Sequence, residues 1–211
     1  MIALLFQGQW EVFALLIIGI VISLSFHEFG HAWVAKLQGD RTAELAGRLT
    51  INPLAHIDVV GLAMVVMVGF GYAKPVPTDP RNFSSRYSTL WVAAAGPFMN
   101  LLIAIVAVNA LVYLSETGGL TPGIQAFLSL LAMINMLLML FNLLPIGPLD
   151  GHYILPYFLP RELARWYAEY NFRYGTMALL ALIVLSIAGV PIFSYLMEFA
   201  QLLTGYLVFV G

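Results

Sequence analysis

Two histidines four positions apart, in His27-Glu28-Phe29-Gly30-His31, interrupt a stretch that is otherwise uncharged from Val12 to Ala35. Ionisable side chains at membrane depth cost about 2.5–3.5 kcal/mol each on insertion scales and mark function. On a helix, the i, i+4 spacing puts both imidazoles on one face. There they can bind a single zinc ion while Glu28 reaches the water beside it.

Zinc on two histidines needs a third protein ligand and an open position for water. Position 37, six residues after His31, is leucine. Glu44 follows a glycine break in a loop, and His56 and Asp58 occupy another loop where solvation accounts for both. Asp150 is the better third ligand. It ends the segment Asn142-Leu-Leu-Pro-Ile-Gly-Pro-Leu-Asp150, in which Pro145 and Pro148 forbid a regular helix. Non-helical backbone at membrane depth is tolerated where it lines a cavity, so this loop can turn a carboxylate inward.

The elements that must carry these groups are apolar helices. Of 211 residues, 61% are hydrophobic and 9% charged, against about 25% charged in soluble domains. This excludes a water-soluble core, and so apolar a chain cannot stay disordered. With no cysteine there is neither a disulfide framework nor a thiolate site, and a net charge of −2 offers nucleic acid no basic surface. The fold class expected is an all-α polytopic membrane protein of five or six transmembrane or re-entrant helices, with a short extended segment near 71–80.

The spans are read at Val12–Ala35, Ser88–Leu114, Thr117–Leu149, Tyr174–Met197 and Phe199–Gly211, the closing pair divided near Gly189-Val190-Pro191. Val59–Tyr72 is too short for a crossing. Arg161–Tyr174, with Trp166, Tyr167 and Tyr170, reads as an interfacial helix bearing an aromatic belt. The N-terminus lacks the basic region and cleavage site of a secretory signal, so the first helix is expected to stay. A single membrane domain covers 1–211, with a core over 9–155 and a helical extension over 160–211.

All nine cations fall in three clusters: Lys36, Arg41, Arg48; Lys74, Arg81, Arg86; and Arg161, Arg165, Arg173. By the positive-inside rule these loops face the cytoplasm. His27 lies ~22 Å along its helix at 1.5 Å per residue, near the cytoplasmic boundary of a ~30 Å core. Asp150 approaches that boundary from the other direction, so both reach one side. In the middle helix, Ala95-Gly96-Pro97 permits close helix approach, and Asn100 can hydrogen-bond across helices.

Together these residues resemble the site-2 protease family of intramembrane zinc metalloproteases, in its short prokaryotic form. Three signatures match in order: His27-Glu28-x-x-His31, Ala95-Gly96-Pro97-x-x-Asn100, and Asn142-x-x-Pro145 with Leu149-Asp150-Gly151. The stretches 47–58 and 71–77 are also similar, so the likeness runs from about Phe26 to His152. Two positions depart from the pattern. Gly147 stands where relatives often have a second proline, which would loosen the turn, and His152 where they often have glycine. The chain has no room for the PDZ or CBS domain of many relatives.

The resemblance implies one zinc ion on His27, His31 and Asp150, with Glu28 as general base and then acid. It makes Asn142 and Asn100 candidates for substrate contact; for Asn142 the alternative is a helix C-cap. The implied reaction is hydrolysis of a peptide bond within or beside a transmembrane segment of a membrane protein, in the cell membrane. An unwound substrate would pair along an edge near 71–77, although the prolines at 75 and 77 leave few donors. The competing reading is a non-hydrolytic zinc-binding or zinc-transport protein.

Overall fold

The computed structural model describes residues 1–69 and 71–209. Expectations that fall on residue 70, inside the short apolar stretch, and on 210–211 at the end of the last one lie outside the described residues. The chain enters through α1 (Ile2–Phe6) and turns at Gly8, where φ is +73°, into α2 (Trp10–Leu37). The buried positions of α2 are Gly19, Ser23, Ser25, His27, Glu28, Gly30, Ala32 and Ala35. All but His27 and Glu28 are small. Lipid tails are as apolar as leucine, so helices in a membrane associate by close packing of small residues instead of by burying large ones. The large side chains Trp10, Ile18 and Trp33 stay exposed on the outside.

Two one-turn helices follow, α3 (Thr42–Leu45) and α4 (Pro53–His56), the latter capped by Asn52 through a bond from Leu54 N–H. Asp58 caps α5 (Val59–Val68), accepting from Gly61 N–H at 2.9 Å. The segment beyond it is extended. It meets the chain before α5 in one antiparallel bridge, Ile57 with Ala73, beside a bond from Lys74 N–H to His56 O at 2.8 Å. No strand forms among the described residues, and the prolines at 75 and 77 supply a reason, since neither has an amide hydrogen.

α6 (Ser88–Glu116) and α7 (Pro122–Asn142) form a hairpin, and α6 lies between α2 and α7. Pro97 sits inside α6. The loop after α7 delivers α8 (Asp150–Ile154) against α6, and a 3₁₀ turn over Leu155–Phe158 leads to α9 (Arg161–Ile187). α10 (Ile192–Gly205) closes on α7, burying Ala200 against Ala104 and Met136.

Among the described residues four helices, α2, α6, α7 and α9, are long and apolar enough to cross a membrane, and α5 is the shorter apolar helix. This agrees with a helical polytopic fold, with two adjustments at the C-terminal end. The aromatic stretch at 161–174 is continuous with the apolar residues that follow, because no proline interrupts the helix before Pro191. The closing segment begins at Ile192, and its 14 residues are too few for a crossing.

The C-terminal end of α2 is tied to the loop before α6 through Asp40, which is fully buried. Its Oδ1 accepts from Thr42 N–H at 3.0 Å, Thr42 Oγ1 at 2.5 Å and Asn82 Nδ2 at 3.0 Å, while Oδ2 accepts from Asp79 N–H at 2.7 Å. Burial opposes the charge, but these four bonds outweigh it and hold the carboxyl below the ordinary 3.8. Stabilisation by this carboxylate is therefore complete above the unfolded value and is lost as pH falls through the lower folded one. Lowering the pH from 6 to 3 is expected to reduce the melting temperature of the native chain in detergent more than that of Asp40→Asn. Circular dichroism melts would check this.

Candidate metal centre

The two imidazoles of α2 point into the seam with α6, and each is held from behind. His31 Nδ1 lies 2.7 Å from Val92 O, and a carbonyl can only accept, so Nδ1 carries the hydrogen. His27 Nδ1 lies 2.6 Å from Asn100 Oδ1. Here the proton's place follows from a longer chain of constraints. Leu131 O accepts at 2.8 Å from Asn135, so the atom facing it is Nδ2. Asn135 Oδ1 then faces Asn100, whose Nδ2 donates to it at 2.8 Å and to Ser23 O at 3.3 Å. The oxygen of Asn100 is left facing His27, whose Nδ1 must donate.

Both Nε2 atoms are thereby left with lone pairs, and they converge. They are 3.1 Å apart, with the ring planes at 84°. Asp150 Oδ2 lies 3.2 Å from His27 Nε2, and Oδ1 lies 3.4 Å from His31 Nε2. Oδ2 is buried without a hydrogen-bond partner. Three acceptors crowded at such distances repel one another unless a cation lies among them. His27, His31 and Asp150 are accordingly the described residues whose ligand atoms can hold a metal ion. The donor set of two imidazoles and a carboxylate suits a divalent metal with an open position.

Two glycines make the approach possible. A Cβ on Gly96 of α6 would stand 2.6 Å from His27 Nε2 and closer still to His31 Nε2. The bare backbone of α6 thus leaves the space in front of both ligands. A Cβ on Gly151 would collide with Leu143 O and come within 2.5 Å of Leu144 O, so glycine lets the start of α8 fold back on the end of α7. That fold presents Asp150, the first residue of α8, toward α2.

Glu28 is buried beside His27 at 8% exposure. Among the described residues no hydrogen bond ties down its carboxylate. Asn142, the last residue of α7, donates from Nδ2 to Leu138 O at 2.9 Å, one turn back. Asn100, expected as a substrate contact, is fully buried with both ends of its amide engaged. It reaches the centre through His27, because its packing position leaves no surface for a substrate.

The other candidate ligands lie apart from the cluster. Glu44 pairs with Lys36 Nζ at 2.5 Å and Arg41 Nε at 2.6 Å, which hold its carboxyl below the usual range. His56 is fully buried, contrary to the solvated-loop reading. Its Nε2 donates to Thr50 O at 2.7 Å, and Arg48 lies against its other nitrogen. Arg48 also donates to Pro75 O at 3.0 Å and Lys74 O at 2.5 Å, so it fastens the extended segment. Burial lowers the pKa of that guanidinium, and the Glu28 carboxylate opposes the shift.

The expectation that Gly147 loosens the turn also fails. Its N–H donates to Asn171 Oδ1 at 3.0 Å. Ser23, Asn135 and Asn171 did not stand out in the sequence, since a search for charge passes over neutral polar groups, and Tyr167 was read only as part of an aromatic belt. An asparagine inside an apolar span was the available signal at 135.

The role of Asn135 is open to test. With leucine there, only the longer bond to Ser23 O still orients the Asn100 amide, which can then turn over in part of the population and offer Nδ2 to His27, moving the imidazole proton to Nε2. Asn135→Leu is expected to weaken divalent-metal binding by roughly 10–100-fold, the usual cost of losing a group behind a ligand. Cobalt(II) titration of the metal-free variant in detergent would measure it.

Comparison with known proteins now has a geometry to meet. The family model described as Peptidase family M50 matches residues 15–121 and 117–186. The chain is 38% identical over 151 residues to "Putative zinc metalloprotease YwhC" of Bacillus subtilis, covering 69% of each chain. It is 32% identical over 154 residues to "Putative zinc metalloprotease Rip2" of Mycolicibacterium smegmatis, covering 67% of this chain and 56% of that one. To "Zinc metalloprotease MJ0392" of Methanocaldococcus jannaschii the identity is 27% over 149 residues, covering 71% of this chain and 35% of that protein. The chain thus spans just over half of the second relative and about a third of the archaeal one. No solved structure matches at a significant level.

Proposed function

This chain belongs to peptidase family M50, and we propose that, as a membrane metalloprotease, it hydrolyses peptide bonds within or next to the transmembrane segments of other membrane proteins. The observation that carries this reading is the convergence of His27 Nε2, His31 Nε2 and the Asp150 carboxylate within the membrane-spanning bundle, each imidazole backed by an acceptor on Nδ1. One zinc ion per chain is the cofactor that these three ligands suit.

When bound, zinc supplies a Lewis acid that polarises the scissile carbonyl and brings the pKa of a water down toward ~7. The chain's own groups do the rest. Glu28, next to His27 in the His-Glu-x-x-His turn, takes the proton of the attacking water and returns it to the leaving amine. Asn100 and Val92 O hold the imidazoles in the tautomer that binds metal. Asn142 stands at the entrance of the Asp150 loop as a candidate substrate contact.

A substrate helix satisfies its carbonyls with its own amides, so the scissile stretch must unwind before attack. The extended segment near 71–77, fastened by Arg48 and bridged to Ile57, is a place where such a strand can lie. The positive-inside rule, applied to the three cation clusters, supports a cytoplasmic orientation for this face of the bundle. The remaining partners are the lipid bilayer and a single-span protein or peptide.

The test is reconstitution of the purified chain in liposomes with a panel of single-span peptides, with zinc content measured in parallel. Cleavage inside or beside the apolar segment, abolished by chelation and restored by zinc, is the expected result. Intact peptides throughout the panel, with zinc stoichiometrically bound, would favour a binding or transport protein instead.

A further inference from the structure

The buried residues of the 27-residue helix α9 are Asn171 and Gly175 alone, and both face the loop that carries Asp150. Between Pro145 and Pro148, which have no amide hydrogen, the donors are Ile146 and Gly147. Ile146 N–H bonds within the loop, to Leu144 O at 2.8 Å. Gly147 N–H leaves the loop and donates to Asn171 Oδ1 at 3.0 Å. Because a backbone amide can only donate, this bond fixes which way the Asn171 amide faces.

The other end of that amide then donates to His152 Nδ1, and it also meets Tyr167 OH at 3.2 Å. The Tyr167 hydroxyl in turn donates to Pro145 O at 2.9 Å. One side of α9 therefore grips the loop at residues 145 and 147, before Asp150, and at residue 152, after it. Gly175 completes the fit: a Cβ there would collide with Asn171 Oδ1 and come within 3.1 Å of Gly147 N.

We propose that Asn171 is a positioning residue, a latch on α9 that holds the Asp150 loop from both sides and thereby sets where the third metal ligand stands. The latch rests on the assignment of Asp150 as a ligand. It explains how a loop with two prolines, outside any long helix, holds a carboxylate 3.2 Å and 3.4 Å from two imidazoles on another element. It also gives a peripheral helix a part in the centre that its own sequence does not suggest.

The experiment is zinc titration of the full chain, purified metal-free in detergent, against a chromophoric chelator. The native protein, Asn171→Leu, Asn171→Asp, Tyr167→Phe and a His27→Ala control are compared, each with a helical melting curve. Asn171→Leu loses its bonds to Gly147, His152 and Tyr167 and is expected to bind zinc 10–100-fold more weakly. Asn171→Asp keeps an acceptor for Gly147 N–H and, with His152 in the tautomer that carries hydrogen on Nδ1, can accept from that ring, so it should recover part of that loss. Tyr167→Phe, which removes one grip, should cost about threefold to tenfold and stays informative should the leucine variant not fold.

Native-like affinity in a folded Asn171→Leu, or no recovery in Asn171→Asp, would overturn the latch and leave the metal centre standing. Unchanged binding in Tyr167→Phe with an unfolded leucine variant would overturn it too. A native chain that binds zinc no better than His27→Ala would instead remove the metal assignment on which both proposals depend.

Discussion

Glu28→Gln is expected to lower peptide hydrolysis by about 10³-fold while the chain retains its zinc. The glutamate is adjacent to the ligand His27 and is not itself among the groups that converge on the metal position. A general base that collects and returns a proton contributes typically 10²–10⁴-fold, and an amide of the same shape cannot take up that proton. No hydrogen bond to Glu28 is lost, so the fold has little reason to respond. Initial rates on a cleaved single-span peptide, with zinc measured by atomic absorption on the same samples, separate chemistry from binding. Equal rates in the two proteins would remove Glu28 from the reaction. Loss of zinc along with activity would move it to the ligand set.

Gly96→Ala should be as damaging for a different reason. A methyl group placed 2.6 Å from His27 Nε2, and nearer to His31 Nε2, stands where the ligand lone pairs converge. The alternatives are to push α6 away from α2 or to turn the imidazoles aside. The first also opens the close contact at Gly30, where a Cβ would stand only 2.9 Å from Ala95 O. Overpacking of this kind costs about 1–3 kcal/mol, and occupying the metal position adds to it, so zinc affinity is expected to fall by at least about 100-fold. Gly123→Ala in α7 is the matched control, since a Cβ there meets nothing within 4 Å. Comparable zinc affinity in Gly96→Ala and Gly123→Ala would mean that the metal does not lie against α6.

The amino-acid order alone was enough to determine the membrane class, the helical architecture and a short apolar element within Val59–Tyr72, because charge and apolar length act locally along the chain. It also singled out the His27-Glu28-x-x-His31 turn, since i, i+4 spacing on one helix is a local geometry. The break near Gly189-Val190-Pro191 was readable for the same reason. The C-terminal span count was not: whether Arg161–Tyr174 lies in the interface or continues into a crossing depends on what the helix packs against.

Tertiary structure alone decided the rest. That Asp150 meets the two imidazoles, that Asn135 reaches His27 through Asn100, and that Asn171 holds Gly147 and His152 are pairings across 19 to 123 positions in sequence. His56, read as solvated, became a buried partner of Arg48 and Thr50 O because the extended segment closes over it. Periodicity says which face of a helix is apolar, but a neutral amide in a membrane takes whichever partner packing brings within about 3 Å. Such partners are set by where helices cross, and that is fixed only when the small residues of α2 and α6 have come together.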